Sequence, residues 1–188
     1  LHDMPDFNFD AVCQQAKSAW EEELSIVSVK GGTEAQRTNF YTAWYHSLVV
    51  PNRTNDINNQ YRRHDSSIAV TPEGKTTYST FSTWDTFRAW HPLMTLTDTD
   101  LVNNMIQSLL NMYEVTGELP IWPLSSGETG TMIGYHSASI IADAYMKGIR
   151  GYDAEKALEA MIVSSNKNAK GSDFYTKYGF IPSNIKRE

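Results

Sequence analysis

Between Asp98 and Gly117 the apolar residues Leu101, Met105, Ile106, Leu109, Met112 and Tyr113 return at steps of three and four, the spacing that lines one face of an α-helix. Asp98 or Asp100 can cap that helix at its start, and Gly117 can end it. The same signature recurs along the chain. Asp6 to Asn8 can cap an amphipathic helix of about 20 residues in which Phe9, Val12, Cys13, Ala16, Trp20, Leu24 and Val27 share a stripe. Gly31-Gly32 ends it, and Thr33 with Gln36 forms a capping-box pattern opening a second helix that carries Phe40, Trp44 and Leu48 and closes at Pro51.

Further helices are expected from about Thr83 to Pro92 and from about Thr131 to Lys147, the second stopping at Gly148. Asp153 caps another, with Ala157, Leu158, Met161 and Ile162 inward, and a short one spans Ser172 to Tyr178 before Gly179 and Pro182. Only one region breaks the pattern. Asn52 to Asp65 is polar and turn-rich and reads as a loop, after which β-branched residues from Ser67 to Phe81 flank "TPEGK" and predict a short hairpin turning at Pro72 and Gly74. The total is about seven helices and one hairpin, with no repeat period and no alternation of strand and helix. The fold class is mainly α.

The 188 residues suffice for a core. A net charge of -6 and a pI near 5.3 argue against nucleic acid or an anionic membrane as partner, since both call for clustered Lys and Arg. No apolar run nears the roughly 20 residues that cross a bilayer, and "LHDMPDFNFD" has neither the basic flank nor the apolar stretch of a signal peptide. A start at Leu1 suggests a chain processed or cut from something longer. Cys13 stands alone, so no internal disulfide is possible, and its place on the first helix's apolar stripe argues against a nucleophile.

Nucleotide and metal signatures are missing from the sequence: no phosphate-binding glycine loop, no paired-cysteine zinc spacing, no HExxH and no EF-hand loop. Two constellations remain. In "YSTFSTWDTFRAWHP", Trp84 and Asp85 sit at a helix start with Arg88 three residues on, so acid and guanidinium share a helical face. Asp85 can be a first-turn residue favoured by the helix dipole. It can equally join Arg88 in gripping vicinal hydroxyls against the flat wall of Trp84. In "IWPLSSGETGTMIGYH", Pro120 and Pro123 stiffen the backbone around Trp122, and Gly127 and Gly130 bracket Glu128 and Thr129. Glu128 can cap the following helix or reach a ligand; His136 can face a site or the core. As carboxylates for glycosidic cleavage Asp85 and Glu128 are the pair to consider, ahead of Asp143, on a helix, and Asp153, a cap.

"FYTAWYHSLVVPN", "YSTFSTWDTFRAWHPLMTL", "WPLSSGETGTMIGYHSASIIADAYMKGIRGYDAEKALEAM" and "YGFIP" resemble the central part of glycoside hydrolase family 92, from about Phe7 to Pro182. The resemblance implies a calcium-dependent, exo-acting, inverting α-mannosidase, periplasmic or extracellular, whose partners are mannose-containing glycans. It implies a site between a β-sandwich domain and an (α/α)6 toroid. On that reading the chain is a linking helix plus the first half of the toroid, a single segment over residues 1–188 that lacks the sandwich and the second half. The family's general acid, in a block resembling "EGNAWQY", its aspartate-rich general base and its "HGNEP" block have no counterpart in the sequence. Asp85 and Glu128 are therefore withdrawn as acid and base, and both catalytic groups are expected beyond Glu188. Trp84, Asp85 and Arg88, with Trp122, Glu128, Thr129 and His136, are expected to line the mannose pocket. Gly127 stands where many relatives have Asn, and Thr131 where they often have Cys.

The resemblance implies a segment inactive by itself, binding no calcium alone, and prone to self-association through the uncovered apolar helix face of a half toroid. The rival reading is a non-catalytic helical module that binds glycans or a protein through the surface of Trp84 and Trp122.

Overall fold

A computed structural model describes residues 6–167 and 171–183; the chain ends and residues 168–170, including the expected boundaries at Leu1 and Glu188, lie outside them. Contacts divide the chain into two compact units, Leu1–Val50 and Pro51–Glu188.

The first unit is a helical hairpin. Asn8 caps α1 (Phe9–Ser25) by accepting the Ala11 amide at 3.1 Å. Thr33 and Gln36 close the expected capping box on α2 (Glu34–Ser47), each side chain accepting the other's backbone amide. Packing rests on aromatic residues of α2: Tyr45 lies 4.7 Å from the Trp20 ring, and the buried Trp44 donates its indole N–H to the Glu23 carbonyl. The α1 stripe corrects the sequence reading. It exists as a pattern, but α1 contains no buried residue, and Cys13 is exposed. A two-helix hairpin has too little surface to enclose that face.

In the second unit, α4 (Trp90–Thr97), α6 (His136–Met146) and α7 (Ala154–Asn166) pack around α5 (Thr99–Thr116). Val102, Met105, Ile106, Leu109 and Leu110 of α5 are all within 1% of full burial, as are Met94 of α4, Ala157 and Ala160 of α7 and Ile141 and Ala144 of α6. Each such side chain contributes roughly 1.5–3 kcal/mol. Asp98 is the cap, its carboxylate accepting the Leu101 amide at 2.8 Å, and Gly117 ends α5 in the left-handed region at φ 72°. Asp153 caps α7, and α8 (Ser172–Tyr178) follows. The α7 expectation holds only partly. Ala157 is buried, but Leu158 and Ile162 are 55% and 53% exposed, because no described element covers their side of the helix.

The expected hairpin is wired differently. A turn does form at TPEGK, where the Lys75 amide donates to the Pro72 carbonyl, but its flanks do not pair with each other. β3 (Ile68–Val70) pairs back with β2 (Gln60–Arg62), and β4 (Tyr78–Ser79) pairs with β1 (Asn52–Arg53). Asp65 folds the β2–β3 turn by accepting both the amide and the hydroxyl of Ser67. The polar stretch read as a loop thus supplies two strands.

Two helix boundaries also move. The helix expected from Thr83 to Pro92 is two helices, α3 (Thr83–Thr86) and α4, and Pro92 stands in the first turn of α4 rather than at an end. Proline's missing N–H costs nothing there, since first-turn amides have no intrahelical partner. The helix expected from Thr131 begins only at His136, because Met132 and Gly134 have φ of 71° and 90°, outside the helical region.

Candidate functional site

The buried Ser108 on α5 accepts the Tyr78 amide at 2.9 Å and ties β4 to the core helix. From there the chain runs beside residues 120–130 and is bonded to them repeatedly. The Ser79 hydroxyl donates to the Ser125 carbonyl at 2.7 Å, and the Thr80 and Phe81 amides donate to the Pro123 carbonyl. The amide and hydroxyl of Thr83 both donate to the Ile121 carbonyl, at 3.0 and 2.8 Å. Across α6, the buried Ser137 hydroxyl donates to the Pro120 carbonyl. The two stretches singled out in the sequence are therefore one assembly.

Ser82 caps α3 by accepting the Asp85 amide, which sets Trp84 and Asp85 within α3, while Arg88 follows two residues beyond its end. Asp85 and Arg88 are exposed and Trp84 is partly buried. The Arg88 guanidinium lies 5.4 Å from the Trp84 ring centroid and 5.3 Å from that of Phe87, within cation–π range. Held against two aromatic faces, it keeps edge N–H groups for acceptors.

Pro123–Leu124 (β5) and Gly127–Glu128 (β6) form a tight hairpin, with Ser125 at φ 54° in the turn. The Glu128 carboxylate is turned onto the backbone: Oε2 accepts the Ile121 amide at 2.9 Å, Oε1 accepts the Gly130 amide at 2.8 Å, and both accept the Trp122 amide. Thr129 donates its hydroxyl to the Trp122 carbonyl and accepts the Thr131 amide. Glu128 is not a helix cap, since α6 starts eight residues later and has no side-chain cap. It is the brace of the loop that presents Trp122.

His136 is reached through a residue the sequence reading passed over. The Phe87 ring stacks on the His136 imidazole with centroids 4.0 Å apart and planes 7° apart, joining the segment after α3 to the first turn of α6. Burial, and after it the charge of Arg88, press His136 below the usual histidine value. An aromatic residue next to Arg88 was the available signal, but nothing in the sequence says which ring meets which.

Two further histidines went unnoticed. His64 has both ring nitrogens buried without a hydrogen-bond partner, beside a small cavity of about 20 Å³ that Ser79 and Ser125 also line. Burial lowers its pKa, and the Glu128 carboxylate opposes that shift. His91 on α4 is enclosed between Phe81 and Trp90, also with unpartnered nitrogens, and burial lowers its pKa to about 3.

Among the described residues no three His, Cys, Asp or Glu side chains converge as a metal would need, and no helix is long and apolar enough to cross a membrane.

The description "Glycosyl hydrolase family 92 catalytic domain" belongs to a family model that matches residues 1–188. No curated protein matches the chain. Among solved structures, it is similar to a family GH92 α-mannosidase from Bacteroides thetaiotaomicron, at 33% identity and a TM-score of 0.92, covering 98% of this chain and 25% of that one. The same α-mannosidase in complex with mannoimidazole gives 33% identity and a TM-score of 0.92, over 98% and 24% of the two chains. A family GH92 inverting mannosidase from the same organism gives 34% identity and a TM-score of 0.89, over 98% and 26%. The chain spans about a quarter of the length of these relatives.

Proposed function

Because the chain belongs to glycosyl hydrolase family 92, we propose that it supplies one wall of the mannose pocket of an exo-acting α-mannosidase. The joining of the two site segments through Thr83 and Ile121 carries this reading. On this reading Trp84 and Trp122 supply the apolar wall and Asp85 and Arg88 the polar edge, the combination that binds a sugar's C–H face and its hydroxyls. The complex of the similar α-mannosidase with mannoimidazole supports mannose as the sugar.

The roles divide by geometry. Asp85 accepts from ligand hydroxyls and Arg88 donates to them. Glu128 and Thr129, committed to the backbone of residues 121–131, hold Trp122 in place, and His136 closes the side nearest Phe87. Glu128 has both oxygens engaged by amides and is a poor candidate for protonating a leaving group. In the longer protein the general acid and base come from outside these residues, the anomeric centre inverts, and the site is periplasmic or extracellular. The linking helix and the first half of the toroid are the parts of that protein this chain represents, with the sandwich and remaining helices as its intramolecular partners.

Calcium is implied for the longer protein, but the described residues do not fit it alone. They bring together no three His, Cys, Asp or Glu side chains, against the roughly six to eight oxygens the ion takes.

The reading is tested in the longer protein on an α-mannosyl substrate, with and without a chelator and with Asp85→Asn. Hydrolysis lost with the chelator and a KM raised by the substitution are expected. Activity indifferent to both removes the proposal. Tight binding of mannose oligomers by the 188-residue chain alone favours the rival, a self-sufficient glycan-binding module.

A further inference from the structure

His136 is confined from two sides by residues far apart in sequence. Phe87 covers one face of the imidazole at 4.0 Å. At position 134 a Cβ would stand 2.2 Å from Nε2, 2.7 Å from Cδ2 and 3.0 Å from Cε1. The φ of 90° at Gly134 independently excludes most side chains. A ring pressed to an aromatic face on one side cannot swing away to admit a methyl group on the other. Glycine at 134 therefore leaves room for the Nε2 edge of the imidazole against the backbone, and Phe87 stops the ring from turning.

We propose that Phe87 and Gly134 are positioning residues that hold the His136 imidazole in one orientation next to Arg88, where the half-buried ring borders the site of a hydroxyl-bearing ligand. The ligand rests on the sugar-pocket reading above; the placement of the ring does not. Arg88 belongs to the same arrangement, since its guanidinium lies 5.3 Å from the Phe87 centroid and its charge reaches His136. A merely structural Phe87 would tolerate any apolar side chain of similar size. A positioning one needs a flat ring, so tyrosine should replace it and leucine should not.

The test is NMR of the histidine ring protons in the 188-residue chain, assigned with His136→Gln, paired with titration of the longer protein with mannoimidazole. In the unmodified chain the His136 protons are expected upfield, in the ring current of Phe87. Phe87→Leu should move them toward free histidine, and Phe87→Tyr should restore them. Gly134→Ala should shift them with Phe87 intact, which keeps the test decisive if Phe87→Leu does not fold. In the longer protein Phe87→Leu and Gly134→Ala should each weaken mannoimidazole by about tenfold, the cost of roughly one hydrogen bond to a ligand, while Phe87→Tyr keeps the affinity. His136 signals unmoved by both Phe87→Leu and Gly134→Ala overturn the proposal. If the signals move as expected but both substitutions leave mannoimidazole binding by the longer protein unchanged, the placement of the ring stands and the sugar ligand is what fails.

Discussion

Thr83 gives both its amide and its hydroxyl to the Ile121 carbonyl oxygen, at 3.0 and 2.8 Å. That oxygen is the junction between the helix start bearing Trp84 and Asp85 and the loop bearing Trp122 and Glu128. Thr83 has no measurable exposure, so the junction is shielded from competing water.

Thr83→Val keeps the shape and the amide bond but removes the hydroxyl donor. A cost of about 1 kcal/mol is expected from the lost bond in a buried setting. Urea unfolding measures it, and amide exchange should quicken at Trp122 and Gly130 more than along α5. Uniform acceleration would show that the junction has no local role.

Glu128→Gln keeps one carbonyl acceptor but loses the charge and the second oxygen, so the Ile121, Trp122 and Gly130 amides can no longer all be satisfied. Exchange of those amides should rise sharply. Asp85→Asn should leave them unchanged. If both substitutions behave alike, Glu128 is not the brace of this loop.

Acid should destabilise the protein through His91. Its folded pKa of about 3 lies below the ordinary 6.5, so below about pH 6.5 the unfolded chain takes up a proton the native state refuses. Stability is complete above that pH and declines as the pH falls toward 3. The loss is about 2 kcal/mol between about pH 7 and about pH 5. His64 and His136 act in the same direction. His91→Leu should remove most of the His91 share, seen as a smaller drop in urea midpoint between the two pH values. An unchanged drop assigns the acid sensitivity elsewhere.

The apolar groove between α6 and α7, about 330 Å³ and lined by Tyr145, Met146, Leu158 and Met161 among others, predicts self-association of the 188-residue chain. Met146 is 82% exposed. Sedimentation should show mass rising with concentration, and Met146→Lys with Leu158→Lys should return a monomer. A monomer before substitution contradicts the expectation.

Much of the helical layout was legible because it is set within a few residues. Asn8, Thr33, Asp98 and Asp153 each cap a helix by accepting an amide three residues on, and Gly117 ends α5 through its own φ. The strands were not legible in the same way. β4 meets β1 some 25 residues earlier rather than its neighbour across the TPEGK turn, and which edge a short strand joins is settled by packing, as with Ser108 drawing Tyr78 onto α5. The stripe on α1 and the Leu158 face of α7 show the converse: helical periodicity specifies a face but not whether anything covers it.

The residues of the candidate site were similarly half readable. Local order announces an aromatic residue, an acid and a base at a helix start, and an acid in a glycine-flanked loop. It does not announce that Glu128 turns onto the backbone of its loop, that Phe87 stacks on His136, or that the ring nitrogens of His64 and His91 are buried without partners. Caps, turns and helical periodicity act over a few bonds, so the amino-acid order alone determined where most helices begin and end. Which side chains meet across tens of residues depends on the desolvation and packing of the whole chain at once, and only the tertiary structure decided it.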